Sequence, residues 1–257
     1  MLVGIGGVAI TKFAGGTGAF TPDKISGLKL WLKADAGITK DGSNLVSAWA
    51  DQSGQGNNFS QSTAGAKPLY TASAQNSLPA IVFDGSSDYM TSAAFTLGPW
   101  SCFAVCSNNW ATPAYGGLWR HNFGPTTGRG IITTSSSTLG WNASEFVCTG
   151  NGYFDTQSPR AIGPWGSLSN GTYQLISAGC GASGSFVNVN KTAVTRSVSN
   201  ASVTPASFVA AIGTFEATFN ANFWNGGIAE LIIYDSVISS GDIGSVETYL
   251  KTRWGTP

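Results

Sequence analysis

Charge is what this chain has least of. Of its 257 residues, 13 are Lys or Arg and 13 are Asp or Glu, so charged residues make up 10% and the formal net charge is zero. A soluble chain typically carries about 25%. No basic run occurs, which excludes the electrostatic footprint of a nucleic-acid or anionic-membrane partner. No run of about 20 apolar residues occurs, so no membrane-spanning helix is expected. The chain contains one histidine, His121. Any Ser/His or Cys/His catalytic pair would have to rest on it; a strand-end histidine with a hydrogen-bonded ring is the preferred reading. A GxSxG nucleophile elbow and a GK[ST] phosphate loop are both absent. The four cysteines are Cys102, Cys106, Cys148 and Cys180. They include no CxxC pair, so a zinc ribbon is unsupported. Cys102 and Cys106 lie about 13 Å apart along a strand, too far to bridge, and read as small buried hydrophobes. A Cys148–Cys180 bridge stays open.

What is there is glycine (34 residues), Ser, Thr and Asn, and short apolar runs. The glycines have no period, which excludes collagen. Residues 1–20 form a Gly-rich, apolar segment whose one charged side chain is Lys12. Its start, MLVGIGGVAITKFAGG, lacks a basic opening, and glycines interrupt the apolar run, so it is not expected to be an export leader. Gly4, Gly6 and Ala9 match GxGxxA, but the preceding strand is too short and no helix follows. It reads instead as an arm that packs on a neighbour. From residue 21 to 257 the chain reads as one domain of short strands with turn signals roughly 8–12 residues apart, the spacing of a sandwich or jelly roll. Strands are expected at 28–33, 78–83, 101–107, 130–134, 145–148, 172–178, 185–189 and 207–212. In 28–33, alternation puts Leu28, Leu30 and Leu32 on one face and Lys29, Trp31 and Lys33 on a wet one. Residues 108–123 read as a long loop.

The stretch 223–255 is the most regular. The turn Asn225-Gly226-Gly227 leads into a strand at 228–234, with Ile228, Glu230, Ile232 and Tyr234 on one face and Ala229, Leu231 and Ile233 on the other. Then Ile243, Val246, Leu250 and Trp254 recur at helical spacing. Ser239 is the expected N-cap, Gly255 the stop, and Glu247 with Lys251 an i,i+4 surface pair.

The segments LKLWLKADAG (28–37), WADQSGQGNN (49–58), LPAIVFDGSSDYM (78–90), GTYQLISAGC with SFVNVNKTAV, NGGIAELIIYD and YLKTRWG together resemble the laminin-G-like, concanavalin A-like lectin and glucanase superfamily. The resemblance covers about residues 26–255. It implies an all-β, antiparallel jelly-roll β-sandwich with one short C-terminal helix, a fold whose function sits in grafted loops. Glucanases of this superfamily carry paired carboxylates in an ExDxxE-type spacing, and hydrolysis needs two such groups. This chain has no such motif, and Glu230 stands alone in its strand, so no enzymatic activity is expected. Some laminin-G-like modules bind calcium, for which the candidates are Asp51 with Asn57 and Asp84 with Asp88; the same residues are ordinary turn formers. No other cofactor is expected.

Sugar recognition needs exposed rings beside planar amides. The candidates are Asn109, Trp110, Tyr115, Arg120, His121 and Asn122, although Trp110 and Trp119 could instead close the core. Three functions remain open. The first is a non-enzymatic phage virion surface protein, a capsid decoration or a tail or fibre accessory, docked on capsid or tail proteins through residues 1–20. The second is a bacterial extracellular lectin, and the third a glycan-active enzyme. The first places the chain on a virion surface after assembly in the host cytoplasm, with a cell-surface glycan as candidate ligand and a trimer as the expected oligomer.

Overall fold

The computed structural model describes residues 19–110, 115–121, 128–134, 145–149, 160–164, 167–195, 197–215 and 221–257. The strands begin with β1 (Leu28–Lys33), β2 (Ile38–Lys40), β3 (Val46–Trp49), β4 (Phe59–Ser60), β5 (Leu69–Gln75) and β6 (Leu78–Asp84). Then come β7 (Met90–Leu97), β8 (Trp100–Cys106), β9 (Gly116–His121), β10 (Arg129–Thr134), β11 (Glu145–Thr149) and β12 (Arg160–Pro164). The last are β13 (Gln174–Cys180), β14 (Phe186–Val189), β15 (Thr192–Ala193), β16 (Ser197–Ser199), β17 (Ala206–Ile212) and β18 (Asn225–Tyr234), followed by the helix α1 (Ser240–Trp254).

They form two antiparallel sheets. One runs β15-β14-β13-β8-β18-β6-β5, with β1 also paired to β18; the other runs β16-β12-β11-β10-β9-β17-β7-β4-β3-β2. The expected all-β sandwich with one C-terminal helix is the observed fold. Its main core lies between the sheets and includes Leu30, Trp49, Phe83, Trp100, Trp119 and Leu231. A second core lies on the outer face of the first sheet, where Trp31, Phe103 and Ile232 meet Val246, Leu250 and Trp254 of α1. Central strands of that sheet are therefore dry on both faces, which is why 228–234 is nearly continuous apolar sequence. The first strand pairs with the last: Leu30 opposes Ile233 and Leu32 opposes Leu231.

Two bulges change the faces that simple alternation implies. On β18, Ile228 opposes Cys106 and Glu230 opposes Val105, so one extra residue sits between them. Ile228 therefore joins Leu231 and Ile233 in the inter-sheet core, while Ala229 joins Ile232 and Tyr234 under α1. A similar irregularity between Leu28 and Leu30 turns Leu28 to the side of Trp31. The Trp31 face, expected to be wet, is covered by the helix. Asn225-Gly226-Gly227 is not a turn but the start of β18. Its glycines are needed because Gly226 passes against the Ser107 carbonyl and Gly227 lies beneath the Tyr173 hydroxyl.

The helix follows its sequence signals. The Ser239 hydroxyl accepts from the Asp242 N–H at 3.1 Å, and Gly255 closes the helix in the left-handed conformation. Glu247 departs from expectation. It turns inward and is 4% exposed, one of the buried side chains of the helix. Cys102, Cys106 and Cys180 are buried, and the side chain of Cys148 lies outside what the structure describes.

Candidate functional site

The aromatic and amide cluster of 108–123 does not form one surface. Residues 116–121, expected in a loop, are the strand β9 at the middle of the second sheet. The Gly116-Gly117 pair that suggests a turn instead admits close neighbours, the Trp110 ring over Gly116 and the Thr214 backbone against Gly117. On β9, alternation sends Trp119 into the core and Arg120 to the opposite face. There the Arg120 guanidinium donates to the Phe215 carbonyl at 2.8 Å and stacks on the Phe215 ring. His121 is fully buried between Phe95 and Phe208, its Nε2 2.7 Å from the Phe95 carbonyl oxygen. Trp110 is half-buried and packs edge-on against Trp224, Asn109 is exposed, and Tyr115 is half-buried. Asn122 lies outside the described residues.

The two acidic turns are built from their own backbone. Both Asp51 oxygens are engaged: one accepts from the Trp31 and Ser53 N–H groups, the other from the Ser53 hydroxyl and the Asn57 N–H. The Asn57 side chain donates to the Lys29 carbonyl. Asp84 accepts from the N–H groups of Ser86, Ser87 and Asp88 and from both serine hydroxyls. The oxygens of Asp51 and Asp84 thus face N–H and O–H donors of their own turns, the arrangement of a structural turn. Among the described residues no group of three His, Cys, Asp or Glu is placed to hold a metal.

These turns and His121 do set a pH dependence. Burial works against the Asp84 charge, but its hydrogen bonds outweigh burial and hold the carboxyl well below the usual range. Asp88 goes the other way, pushed up to about 7 by burial and then by the Asp84 charge. Burial lowers His121 to about 4. A carboxyl with a raised folded pKa binds more protons folded than unfolded, so its contribution falls as pH rises from about 4 to 7. A histidine with a lowered folded pKa loses stability as pH falls from about 6.5 to 4. The two slopes oppose each other across one window. Asp88→Asn is expected to raise the urea midpoint at pH 8 more than at pH 4.5; an equal change at both would remove Asp88 as the titrating group.

Two described clefts flank α1. On the flank toward β13 and β14 lies a cleft of about 420 Å³, lined by Ser183, Ser185, Phe186, Asn188, Ser240 and Glu247 among others. Its polar floor follows from register. Ser177 on β13 opposes Asn188 on β14, so their side chains stand together on the outer face of the sheet. Glu247 reaches down from α1, and its Oε1 accepts from the Ser177 hydroxyl and, at 2.9 Å, from the Asn188 amide. The half-buried Phe186 ring forms a wall, packed over Gly179. A carboxylate, an amide and hydroxyls beside a ring offer acceptors and donors for sugar hydroxyls and an apolar face for a sugar ring. The larger cleft, on the other flank, is lined mainly by apolar groups. Glu247 could have been found in the sequence: it lies four residues after Ile243 and three before Leu250, at the edge of the buried stripe. The pairing of Ser177 with Asn188 depends on a hairpin register that sequence does not reveal.

No protein-family profile matches the chain, and no curated protein matches it. Solved structures match in fold. Domain 4 of an extracellular arabinanase from Geobacillus stearothermophilus, solved in complex with arabinotriose, is similar over 86% of this chain and 98% of that domain, with a TM-score of 0.59 and 14% identity. The binding domain of Paraclostridial Mosquitocidal Protein 1 is similar over 90% of this chain and 55% of its own length, with a TM-score of 0.59 and 11% identity. Trypanosoma rangeli sialidase in complex with sialic acid is similar over 90% of this chain, with a TM-score of 0.58 and 11% identity, but the chain spans only 34% of the sialidase. At these identities the likeness is one of fold alone, a β-sandwich.

Proposed function

We propose that this chain is a non-enzymatic carbohydrate-binding sandwich of the laminin-G-like, concanavalin A-like kind, with its sugar site in the cleft between α1 and β13–β14. The observation that carries the reading is the floor of that cleft, where the buried Glu247 carboxylate is held by Ser177 and Asn188 beside the Phe186 ring. Support comes also from the arabinanase domain, matched over nearly its whole length and solved with arabinotriose. Binding is favoured over hydrolysis because hydrolysis needs two carboxylates across the scissile bond, and Glu247 is the one carboxylate among the described residues lining the cleft.

A glycan array followed by calorimetry, with and without calcium, tests the proposal. Glu247→Gln is expected to weaken a hit by about 10–100-fold, the worth of a hydrogen bond to a charged group. Asn188→Ala is expected to act in the same direction. Silence across a broad array, or a hit indifferent to both variants, would sink the site. Turnover of any glycan would sink the non-enzymatic part.

The setting proposed is the surface of a phage particle. What supports it is the charge-poor, neutral composition, with a free bacterial lectin as the alternative. Mass spectrometry of purified particles decides, and particles lacking the polypeptide would leave the lectin reading.

A further inference from the structure

Two glutamates are buried beneath α1, and their surroundings complete them differently. Glu230 has donors on both carboxylate oxygens, and the Arg253 guanidinium is its counter-charge. Glu247, 4% exposed, has donors on one oxygen. Its Oε1 accepts from the Ser177 hydroxyl and the Asn188 amide, both neutral groups. Among the described residues nothing donates to Oε2, and no cation pairs with the side chain. Buried charges in proteins are ordinarily paired. Here a buried carboxylate keeps an open acceptor in the wall of a cleft of about 420 Å³.

The rest of the lining leaves that charge unmatched. Glu247 is the one charged side chain among the described residues that line the cleft. The Lys191 ammonium donates at 2.8 Å to the hydroxyl of Thr248, which lines the cleft on the other flank of α1. Phe186, Val237 and Ile243 supply apolar surface for a sugar ring. Gly184 and Gly244 leave it room, since a Cβ at either meets nothing within 4 Å. A hydrogen bond between a charged donor and a charged acceptor is roughly twice as strong as one between neutral groups. A carboxylate brought to the same place meets a like charge instead.

We propose that this cleft selects sugars that carry a free amino group and discriminates against sugars that carry a carboxylate. The sugar ammonium donates to Oε2 of Glu247 while the ring packs beside Phe186. The inference rests on the cleft being the sugar site, and it adds which sugars the site prefers.

Calorimetry with three trisaccharides tests it at about pH 6, where an amino group is protonated. The probes are a trimer of 2-amino-2-deoxyglucose, its N-acetylated counterpart and a trimer of galacturonic acid. The amino trimer is expected to bind about tenfold tighter than the acetylated one, and the acidic trimer more weakly than either. Glu247→Gln keeps a carbonyl for Ser177 and Asn188 and puts an amide in place of Oε2. In that variant the preference for the amine is expected to fall to within about twofold. Ser183 is an exposed position of the lining. Ser183→Lys leaves Glu247 in place and is expected to weaken the amino trimer by about two- to fivefold, more at low salt than at high. A glutamate with only a structural role would not produce that response. Equal binding of the amino and acetylated trimers, both weakened by Glu247→Gln, would overturn the selectivity and leave the cleft a site for neutral sugars. A preference that survives Glu247→Gln, or an acidic trimer that binds as well as the amino one, would overturn it as well. Spermidine binding as tightly as the amino trimer would do the same, by showing that charge is read without the ring. Silence of all three trimers would overturn the preference, while the glycan array decides the site itself.

Discussion

Glu230→Ala is expected to destabilise the protein by about 3–5 kcal/mol, the cost of removing one partner from a buried charged network. Glu230 is fully buried on β18, under α1. One carboxylate oxygen accepts from the Trp31 indole at 2.6 Å and the Tyr249 hydroxyl at 3.0 Å. The other accepts from the Trp254 indole at 2.7 Å and pairs with the Arg253 guanidinium at 3.2 Å. Arg253 also pairs with Asp35, next to β1. One side chain thus ties the first strand, the last strand and the helix together. Burial pushes its carboxyl up, while the two indoles, Arg253 and Tyr249 favour the charged form. Every contact to it is a donor, and a carboxylate is an acceptor only, so the ionised form matches its surroundings.

Alanine would leave two indole N–H groups and a hydroxyl without their acceptor and take from Arg253 one of its two carboxylate partners. Gln should cost less, about 1–3 kcal/mol, because its carbonyl replaces one oxygen while its amide confronts a donor. The check is urea unfolding followed by near-ultraviolet circular dichroism, which reports the environment of Trp31 and Trp254. The Ala variant should lower the melting temperature by roughly 6–20 °C. A loss below about 1 kcal/mol would mean that the helix is held by apolar packing alone.

The second large effect is expected at Gly226, where alanine should cost about 2–4 kcal/mol from overpacking and backbone strain together. Gly226 has φ +148°, and a Cβ there would overlap the Ser107 carbonyl oxygen. That carbonyl cannot move aside. The Ser107 N–H donates to the Gly227 carbonyl at 2.8 Å, its hydroxyl accepts from the Gly227 N–H at 2.9 Å, and the Asn109 N–H donates to the Asn225 carbonyl at 2.9 Å. The end of β8 and the start of β18 are therefore locked at this glycine. Gly244 provides the contrast: it is helical, and a Cβ there meets nothing within 4 Å. Gly244→Ala should stabilise by about 0.5–1 kcal/mol. Thermal and urea unfolding of the two variants should shift in opposite directions, and a Gly226→Ala variant as stable as the parent or more so would show that close approach does not require glycine there.

Features of this kind also divide the candidate sites. Trp110, Arg120 and His121 are adjacent in sequence to amides, which makes 108–123 look like a sugar-binding loop. A strand alternates its faces, however, so Arg120 and His121 go to different neighbours as soon as β9 forms. The Asp51 and Asp84 turns carry residue types shared by calcium loops and Asx turns. Only the direction of the surrounding N–H groups separates the two. Glu247 has the same ambiguity in reverse. Its spacing to Lys251 suits a surface pair, and only the docking of α1 on β13 and β14 turns it onto Ser177 and Asn188.

The local elements are legible in the residue order: the alternation in 28–33 and 78–83, the apolar run at 228–234, the Ser239 cap, the helical stripe ending at Trp254 and the Gly255 stop. Those signals depend on backbone dihedrals and on neighbours a few residues apart, and the chain carries them wherever it folds. Whatever depends on distant partners emerges only on assembly of the sandwich. The bulge in β18 arises from its pairing with β8, and the dry face of β1 from the helix laid across it. The cleft of Glu247 arises from the register of the β13–β14 hairpin, far from α1 along the chain. Each is a relation between segments whose energy exists only once both are in place.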